Sequence, residues 1–247
     1  MSSANIPEWK ERTSLLVGAD SVEILNRAHI LIVGLGGVGG WAAEMLARAG
    51  VGEMTLVDAD VVAPSNINRQ LVATHKTIGQ PKCDVLAERL QEINPEIKLH
   101  VLRLFVKDEA TDELLDRAKY DVVLDAIDSL SPKVYLIALS IRKGLRLISS
   151  MGAGAKWDPS AIQVADISRS HNCTLARSVR KRLRPLGIHK GFSVVYSTEL
   201  PHSEAVISVS GECCKRSTAG TLSYMPAAFG MRMAAEAIRI LLDRKLI

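Results

Sequence analysis

The run Ile30-Leu31-Ile32-Val33 leads straight into Gly34-Leu35-Gly36-Gly37-Val38-Gly39-Gly40, and an alanine-rich stretch from Trp41 to Ala49 follows. The aliphatic run gives a buried strand, the G-x-G-x-x-G spacing a tight turn, and the alanine-rich stretch a helix, so strand, turn and helix come in that order. Glycine lets the backbone turn sharply and approach an anion closely, while the first N–H groups of the helix point at it with the positive end of the dipole. The plain alternative is a strand-to-helix turn with no ligand. Against it stands Met54-Thr55-Leu56-Val57-Asp58, a second apolar run ending in an acid about twenty residues beyond the last motif glycine, the place from which a carboxylate reaches ribose hydroxyls. Gly34, Gly36, Gly37 and Gly39 are therefore candidate nucleotide contacts, and Asp58 is the candidate ribose ligand.

After Asp58 the chain runs through Asp60, Pro64, Ser65, Asn66, Asn68, Arg69 and Gln70. This stretch is too polar for a core strand and reads as a loop at the carboxyl end of the second strand, where open α/β sheets bind their ligands. A helix is expected from Pro81 to Ile93, with Val85, Leu86, Leu90 and Ile93 on one face and Lys82 in its first turn. A cation there opposes the helix dipole; it is either an ordinary surface lysine or one that a phosphate holds. A strand over 99–104, a helix over 108–119 and a strand over 120–125 continue the alternation. Ser131 is expected to cap a helix over 132–142, with Pro132 at its first position, before a strand over 145–149. Residues 28–150 thus read as a doubly wound, mostly parallel Rossmann-like α/β sheet. At the end of its fourth strand, Asp125 and Asp128 either hold a hard cation such as Mg²⁺ or serve the backbone as caps.

The flanks complete a three-part division: a helical arm over 1–27, the sheet over 28–150, and a mixed α+β extension of the same domain over 151–247. The arm carries Leu15, Leu16, Val22 and Leu25 at helical spacing. Past Gly152-Ala153-Gly154 the expected elements are strands over 162–167, 192–197 and 205–209, and helices over 175–183 and 226–246. Met225, Met231 and Met233 read as core filler. Between Ile167 and Thr198 there is no acid, yet Arg169, Arg177, Arg180, Lys181, Arg182, Arg184 and Lys190 are present in a chain whose net charge is only +4. Such a run is either a solvated face or a polyanion site, with nucleic-acid phosphate as the leading candidate. Few aromatic residues interleave it, so base stacking is not expected as the main mode.

Composition excludes other classes. Glu8, Lys10, Glu11, Arg12 and Asp20 interrupt the start of the chain, and no later run approaches about eighteen uncharged apolar residues. Neither a secretory leader nor a membrane span is expected, and the chain reads as cytoplasmic. Cys83 and Cys173 stand alone and Cys213-Cys214 are adjacent, giving neither a disulfide framework nor a zinc-type C-x-x-C pair. The histidines are too scattered to suggest a ligand pair.

A dinucleotide oxidoreductase has no use for the polar set Asn66, Asn68, Arg69, Gln70, Lys82 and Asp128. That set, with G-x-G-G-x-G, the D-x-D of Asp58 and Asp60, the S-N-x-x-R-Q of Ser65 to Gln70 and the D-x-x-D of Asp125 and Asp128, resembles the ubiquitin-activating, molybdopterin- and thiamine-pathway adenylyltransferase superfamily. Over nearly its full length the chain looks like the tRNA threonylcarbamoyladenosine dehydratase family. The resemblance is carried by Arg12 to Gly18, Ala28 to Gly40, Asn66 to Gln70, Ile93-Asn94-Pro95, Asp125 to Ser129, Ser131-Pro132-Lys133, Gly152 to Gly154, Asp158-Pro159 and Ile162 to Asp166. The superfamily's zinc ribbon is absent, and nothing around Cys173 marks an activated thiol.

The resemblance implies ATP-dependent cyclisation of the threonylcarbamoyl group on a tRNA adenosine, through an acyl-adenylate. It implies Gly37 and its neighbours, Asp60, Ser65, Asn66, Asn68, Gln70 and Ser129 around the nucleotide, and Asp58 on the ribose. Asn66, Arg69 and Lys82 would meet the phosphates, and Asp128 would hold Mg²⁺. Arg12 would reach the phosphates of a second subunit, hence a homodimer. The basic residues Arg177, Arg180, Lys181, Arg182 and Arg184 would hold tRNA. The glycine turn at 152–154 is either a plain turn or a source of carbonyls for Na⁺ or K⁺, and a sulfur-transfer protein partner is possible. Two other readings remain: an adenylyltransferase acting on the C-terminus of a small sulfur-carrier or ubiquitin-like protein, and a nucleotide-sensing module without catalysis.

Overall fold

Every residue of the first strand, β1 (His29–Val33), is buried, which requires cover on both faces of the sheet. Its side chains divide with the period of two that a strand imposes. Ile30 and Ile32 enter one apolar core, while Leu31 and Val33 enter another on the opposite face. In this computed structural model, which describes residues 6–208 and 217–243, β1 pairs in parallel with β2 (Glu53–Val57) and β4 (Val122–Asp125). β3 (Lys98–Leu102) extends the sheet beyond β2, and β5 (Leu147–Ser150) extends it beyond β4. β7 (Ser193–Ser197) then adds in parallel to β5, and β6 (Ile162–Asp166) closes that edge antiparallel, giving the order 3-2-1-4-5-7-6.

One face carries α3 (Gly39–Ala49), α4 (Lys82–Ile93) and α8 (Tyr224–Leu241). The other carries α5 (Glu109–Asp116), α6 (Leu130–Arg142) and α7 (Thr174–Leu183). The N-terminal α1 (Glu11–Val17) and α2 (Ala19–Arg27) precede the sheet, and β8 (Val206–Ser208) pairs with β9 (Ser217–Ala219) as a separate hairpin-like pair. α3 and α8 approach closely because Gly230 has no side chain: a Cβ there would lie 2.5 Å from the Val38 carbonyl oxygen. No helix among the described residues is long and apolar enough to cross a membrane.

Several expectations need correction. The extension after residue 150 adds to the sheet beyond residues 28–150, since β6 and β7 are two of its seven strands. Ser131 does not cap α6: the helix begins at Leu130 with Ser129 at the cap position. Pro132 is then its third residue, tolerated because first-turn N–H groups have no intrahelical acceptor. Met225 and Met233 are fully buried, but Met231 is 45% exposed. α8 ends at Leu241; Val209, Cys213, Cys214 and the last part of the expected helix, through Leu246, lie outside the described residues. The sheet also brings together two histidines that sequence distance had separated. His100 Nε2 is 2.8 Å and His29 Nδ1 3.6 Å from Glu53 Oε1, at the end of the sheet opposite the glycine turn.

Candidate active site

The turn after β1 is shaped by two glycines. Gly34 adopts φ +90°, donates its N–H to the Val57 carbonyl at 2.8 Å, and has no room for a Cβ, which would sit 2.8 Å from the Ala126 oxygen. A Cβ on Gly39 would lie 1.8 Å from the Gly34 oxygen. Gly36 and Gly37 lie between them, facing the Gln70 amide and the Arg69 side chain. α3 starts here with no side-chain cap, so the dipole end of the helix is available to an anion.

Asp58, at the end of β2, ties the turn down. Its Oδ2 accepts the Leu35 N–H at 2.7 Å and its Oδ1 accepts the Asp60 N–H at 2.8 Å. Burial pushes the Asp58 carboxyl above its ordinary value, opposed by the Lys82 ammonium and these two N–H donors. A carboxylate has about four acceptor positions, so the two bonds leave capacity for ribose hydroxyls.

The loop that follows carries the polar set. Arg69 donates to the Ser65 carbonyl at 2.8 Å and to Asn68 Oδ1 at 2.9 Å. Asn66 is buried, its Oδ1 taking the Ala63 N–H at 3.1 Å, so its carbonyl end braces the loop. Gln70 is also buried, and its Oε1 has no hydrogen-bond partner. An unsatisfied buried acceptor is expensive unless a ligand donor reaches it, and a nucleotide supplies such donors. Lys82 opens α4 and reaches back to Asp60, Nζ to Oδ2 at 2.7 Å.

At the end of β4 the two aspartates part company. Asp125 is fully buried; its Oδ2 accepts from Lys133 Nζ at 2.7 Å and from Ser149 Oγ at 2.6 Å, and its Oδ1 from the Ile127 N–H at 3.1 Å. Asp125 is therefore committed to the fold and unavailable as a cation ligand. Asp128 is exposed and accepts from Ser129 Oγ at 3.2 Å. Asp128 is thus the carboxylate of this pair whose chemistry fits a hard cation such as Mg²⁺. Lys133, which sequence reasoning missed as a buried counter-ion, also donates to the Ser150 carbonyl at 2.9 Å. Its signal was a lone lysine beside Val134, Leu136 and Ile137 on a helix that follows a buried acid.

Arg12 stands apart. It is exposed on α1, which packs chiefly against α2, and Leu15 and Leu16 of the same helix are each 81% exposed. Arg177, Lys181 and Arg182 on α7, and Arg184 just past its end, all face solvent. Arg182 donates to Ser131 Oγ at 3.0 Å, joining α7 to the first turn of α6. Arg180 corrects the expectation of five outward cations: it turns in, donating to the Ser170 hydroxyl, to the Ser170 carbonyl at 2.8 Å and to the Ile167 carbonyl at 3.5 Å. Cys173 is buried at the cap position of α7, with its sulfur 3.5 Å from the Ala176 N–H.

Residues 11–247 match the ThiF family. The tRNA threonylcarbamoyladenosine dehydratase of Haemophilus influenzae is 38% identical, covering 98% of this chain and 97% of its own. That of Bacillus subtilis is 43% identical over 77% of this chain and 74% of its own. The chain belongs to the ThiF family, on its tRNA threonylcarbamoyladenosine dehydratase branch. The ThiF fold extends to solved structures: the Escherichia coli tRNA N6-threonylcarbamoyladenosine dehydratase in complex with ATP superposes with a TM-score of 0.86 at 35% identity, covering 94% of this chain and 93% of that one.

Proposed function

We propose that this chain is an ATP-dependent tRNA threonylcarbamoyladenosine dehydratase, acting through an acyl-adenylate. The observation that carries the reading is the bond from Arg182 to Ser131. It sets the basic helix directly against the start of α6, three residues beyond Asp128, so a polyanion on α7 lies beside the nucleotide end of the sheet.

The carboxylate of the threonylcarbamoyl group attacks the α-phosphorus of ATP, forming an acyl-phosphate bond as pyrophosphate leaves. The carbamoyl group of the same substituent then attacks the activated carbonyl, the bond to AMP breaks, and a proton is released. No protein nucleophile takes part. Both reacting groups belong to one substituent, so holding them in a reactive geometry supplies a large part of the rate. Fixed cations supply much of the rest by meeting charge that grows on the leaving group. In this reading Lys82 and Arg69 face the phosphates, with the Asn66 amide nitrogen beside them, and Asp58 holds the ribose. Gly34 to Gly39 admit the nucleotide backbone to backbone, and Gln70 Oε1 takes a ligand donor. Asp128 would hold Mg²⁺, which adds positive charge at the phosphate oxygens.

In the homodimer the exposed Leu15 and Leu16 would add to the contact made by residues 151–247, and α1 would carry Arg12 toward the partner's phosphates. The three-part division follows: residues 1–27 as the arm, 28–150 as the ATP-binding core, and 151–247 as the tRNA-binding and dimerisation part. Carbonyls of Gly152 to Gly154 are the candidates for Na⁺ or K⁺. In this reading the protein works in the cytoplasm, and a sulfur-transfer partner belongs to the same proposal.

The test is the substrate dependence of ATP cleavage. AMP and pyrophosphate should form when threonylcarbamoylated tRNA is added, and not with tRNA lacking the modification. Cleavage that instead depends on a small protein ending in Gly-Gly would make the chain a carrier-protein adenylyltransferase. ATP binding without AMP under either condition would make it a nucleotide sensor.

A further inference from the structure

A groove of about 320 Å³ opens between α6, the start of α5 and the end of α7, on the outer side of the sheet. Its floor is one face of α6, on which Ser131, Tyr135, Ala138 and Arg142 follow at helical spacing. Val134 and Ala138 are buried beneath it, the Tyr135 ring is 38% exposed, and Leu186 forms the far wall at 44% exposed. Three cations line it: Lys107, Arg142 and Arg182. The one acid among the lining residues, Asp108, lies 3.7 Å from Lys107, so the groove is net positive.

An aromatic face, an apolar floor and cations together recognise a flat, anionic ligand, which is the chemistry of a nucleotide. The volume, at the lower end of small-ligand cavities, suits one base. Continuity decides between a free nucleotide and a strand. Arg182 belongs both to this groove and to the basic face of α7, and Ser131, its hydrogen-bond partner, begins about one turn past Asp128. From Ser131 to Arg142 the groove runs about 16 Å along α6 at 1.5 Å per residue, leading away from the nucleotide end of the sheet.

We propose that this groove binds an unstacked nucleotide of the tRNA strand flanking the modified adenosine, its base on Tyr135 and its phosphates against Arg142 and Arg182. The inference rests on the dehydratase reading and adds a subsite to it. It adds one stacking contact to a surface where base stacking is not expected as the main mode. The aromatic residue is not interleaved with the basic run in sequence; the fold delivers it from α6, more than thirty residues earlier.

The experiment is tRNA binding to the full-length protein across a salt series, with Tyr135→Ala, Tyr135→Phe and Arg142→Ala variants and ATP binding measured in parallel. Base stacking on one aromatic residue sets the expected loss for Tyr135→Ala at about 5- to 100-fold in affinity, with an unchanged salt slope. Tyr135→Phe should bind as the wild type does, because the ring is kept. Arg142→Ala should lower the salt slope by somewhat under one, and ATP binding should be unaltered throughout. Wild-type affinity for tRNA in Tyr135→Ala would overturn the groove assignment, as would equal losses in the Ala and Phe variants, or a free mononucleotide that fills the groove without competing with tRNA. A wild-type protein that binds no tRNA would overturn the dehydratase reading itself.

Discussion

The ammonium of Lys82 lies 2.7 Å from the Asp60 carboxylate, with the lysine side chain 6% exposed and the aspartate side chain 68% exposed. The cation is thus desolvated and held at the mouth of the loop by a partner that sits in water. An arriving phosphate can take the place of the exposed carboxylate and keep the desolvated cation paired. Lys82→Ala should therefore lower the rate of adenylate formation about 10²- to 10³-fold, the usual effect of removing one preorganised charge-stabilising donor. Asp60→Asn should change it far less. ATP–pyrophosphate exchange in the presence of modified tRNA measures both, and a Lys82→Ala variant with wild-type exchange would remove the lysine from the chemistry.

Lys133 and Asp125 form the opposite kind of pair, both side chains fully buried at 2.7 Å. Removing one partner strands the other charge without water. Lys133→Met should destabilise the fold by about 3–5 kcal/mol, read as a lowered urea midpoint at constant m-value. Adding Asp125→Asn to that variant should recover part of the loss, since the stranded charge is gone. Equal stability of Lys133→Met and wild type would contradict the ion-pair account.

Burial pushes the Cys83 thiol up to about 12, and its sulfur lies 3.2 Å from the Asp58 carbonyl, which accepts from it. Thiolate is the reactive form. Cys83 should stay unlabelled by a thiol reagent in the native protein at pH 8 and become labelled in urea, as peptide mass mapping would show. Native labelling at the unfolded rate would mean that the site opens readily.

The histidine pair predicts an acid limit to stability. Burial holds His29 below its ordinary value, opposed by Glu53 and aided by His100. Its folded pKa thus lies below the unfolded value of about 6.5, so the unfolded chain binds more protons as the pH drops. Its stabilisation is complete above about pH 6.5 and is lost as the pH falls through the folded value. The Glu53 carboxyl is also held low, first by its bond from His100, and its contribution is lost in a more acid range. Urea midpoints should therefore fall as the pH is lowered from 6.5, and His29→Gln should flatten the first part of that fall. A wild-type midpoint that does not change between pH 7 and 5 would contradict this.

These cases show which parts of the molecule could be read in the chain. Strand β1 was legible because helices on both faces demand apolar residues from Ile30 to Val33, and the glycine turn because Gly34 and Gly39 admit no side chain. The loop from Ser65 to Gln70 was legible as a set of residue types at fixed spacing. What escaped was non-local. That Asp125 is spent on Lys133 and Ser149, that His29 meets His100, and that Tyr135 and Arg182 line one groove depend on which strands and helices become neighbours. Arg180 escaped for a smaller reason: charge alone does not tell an outward arginine from one that donates to the carbonyls of a nearby turn.

The most direct measurement is nucleoside mass analysis of threonylcarbamoylated tRNA after incubation with the protein, ATP and Mg²⁺, beside an Asp128→Ala control. The account predicts loss of one water from the modified adenosine, matched by AMP release and absent in the control. An unchanged nucleoside, with ATP bound and the tRNA intact, would contradict it.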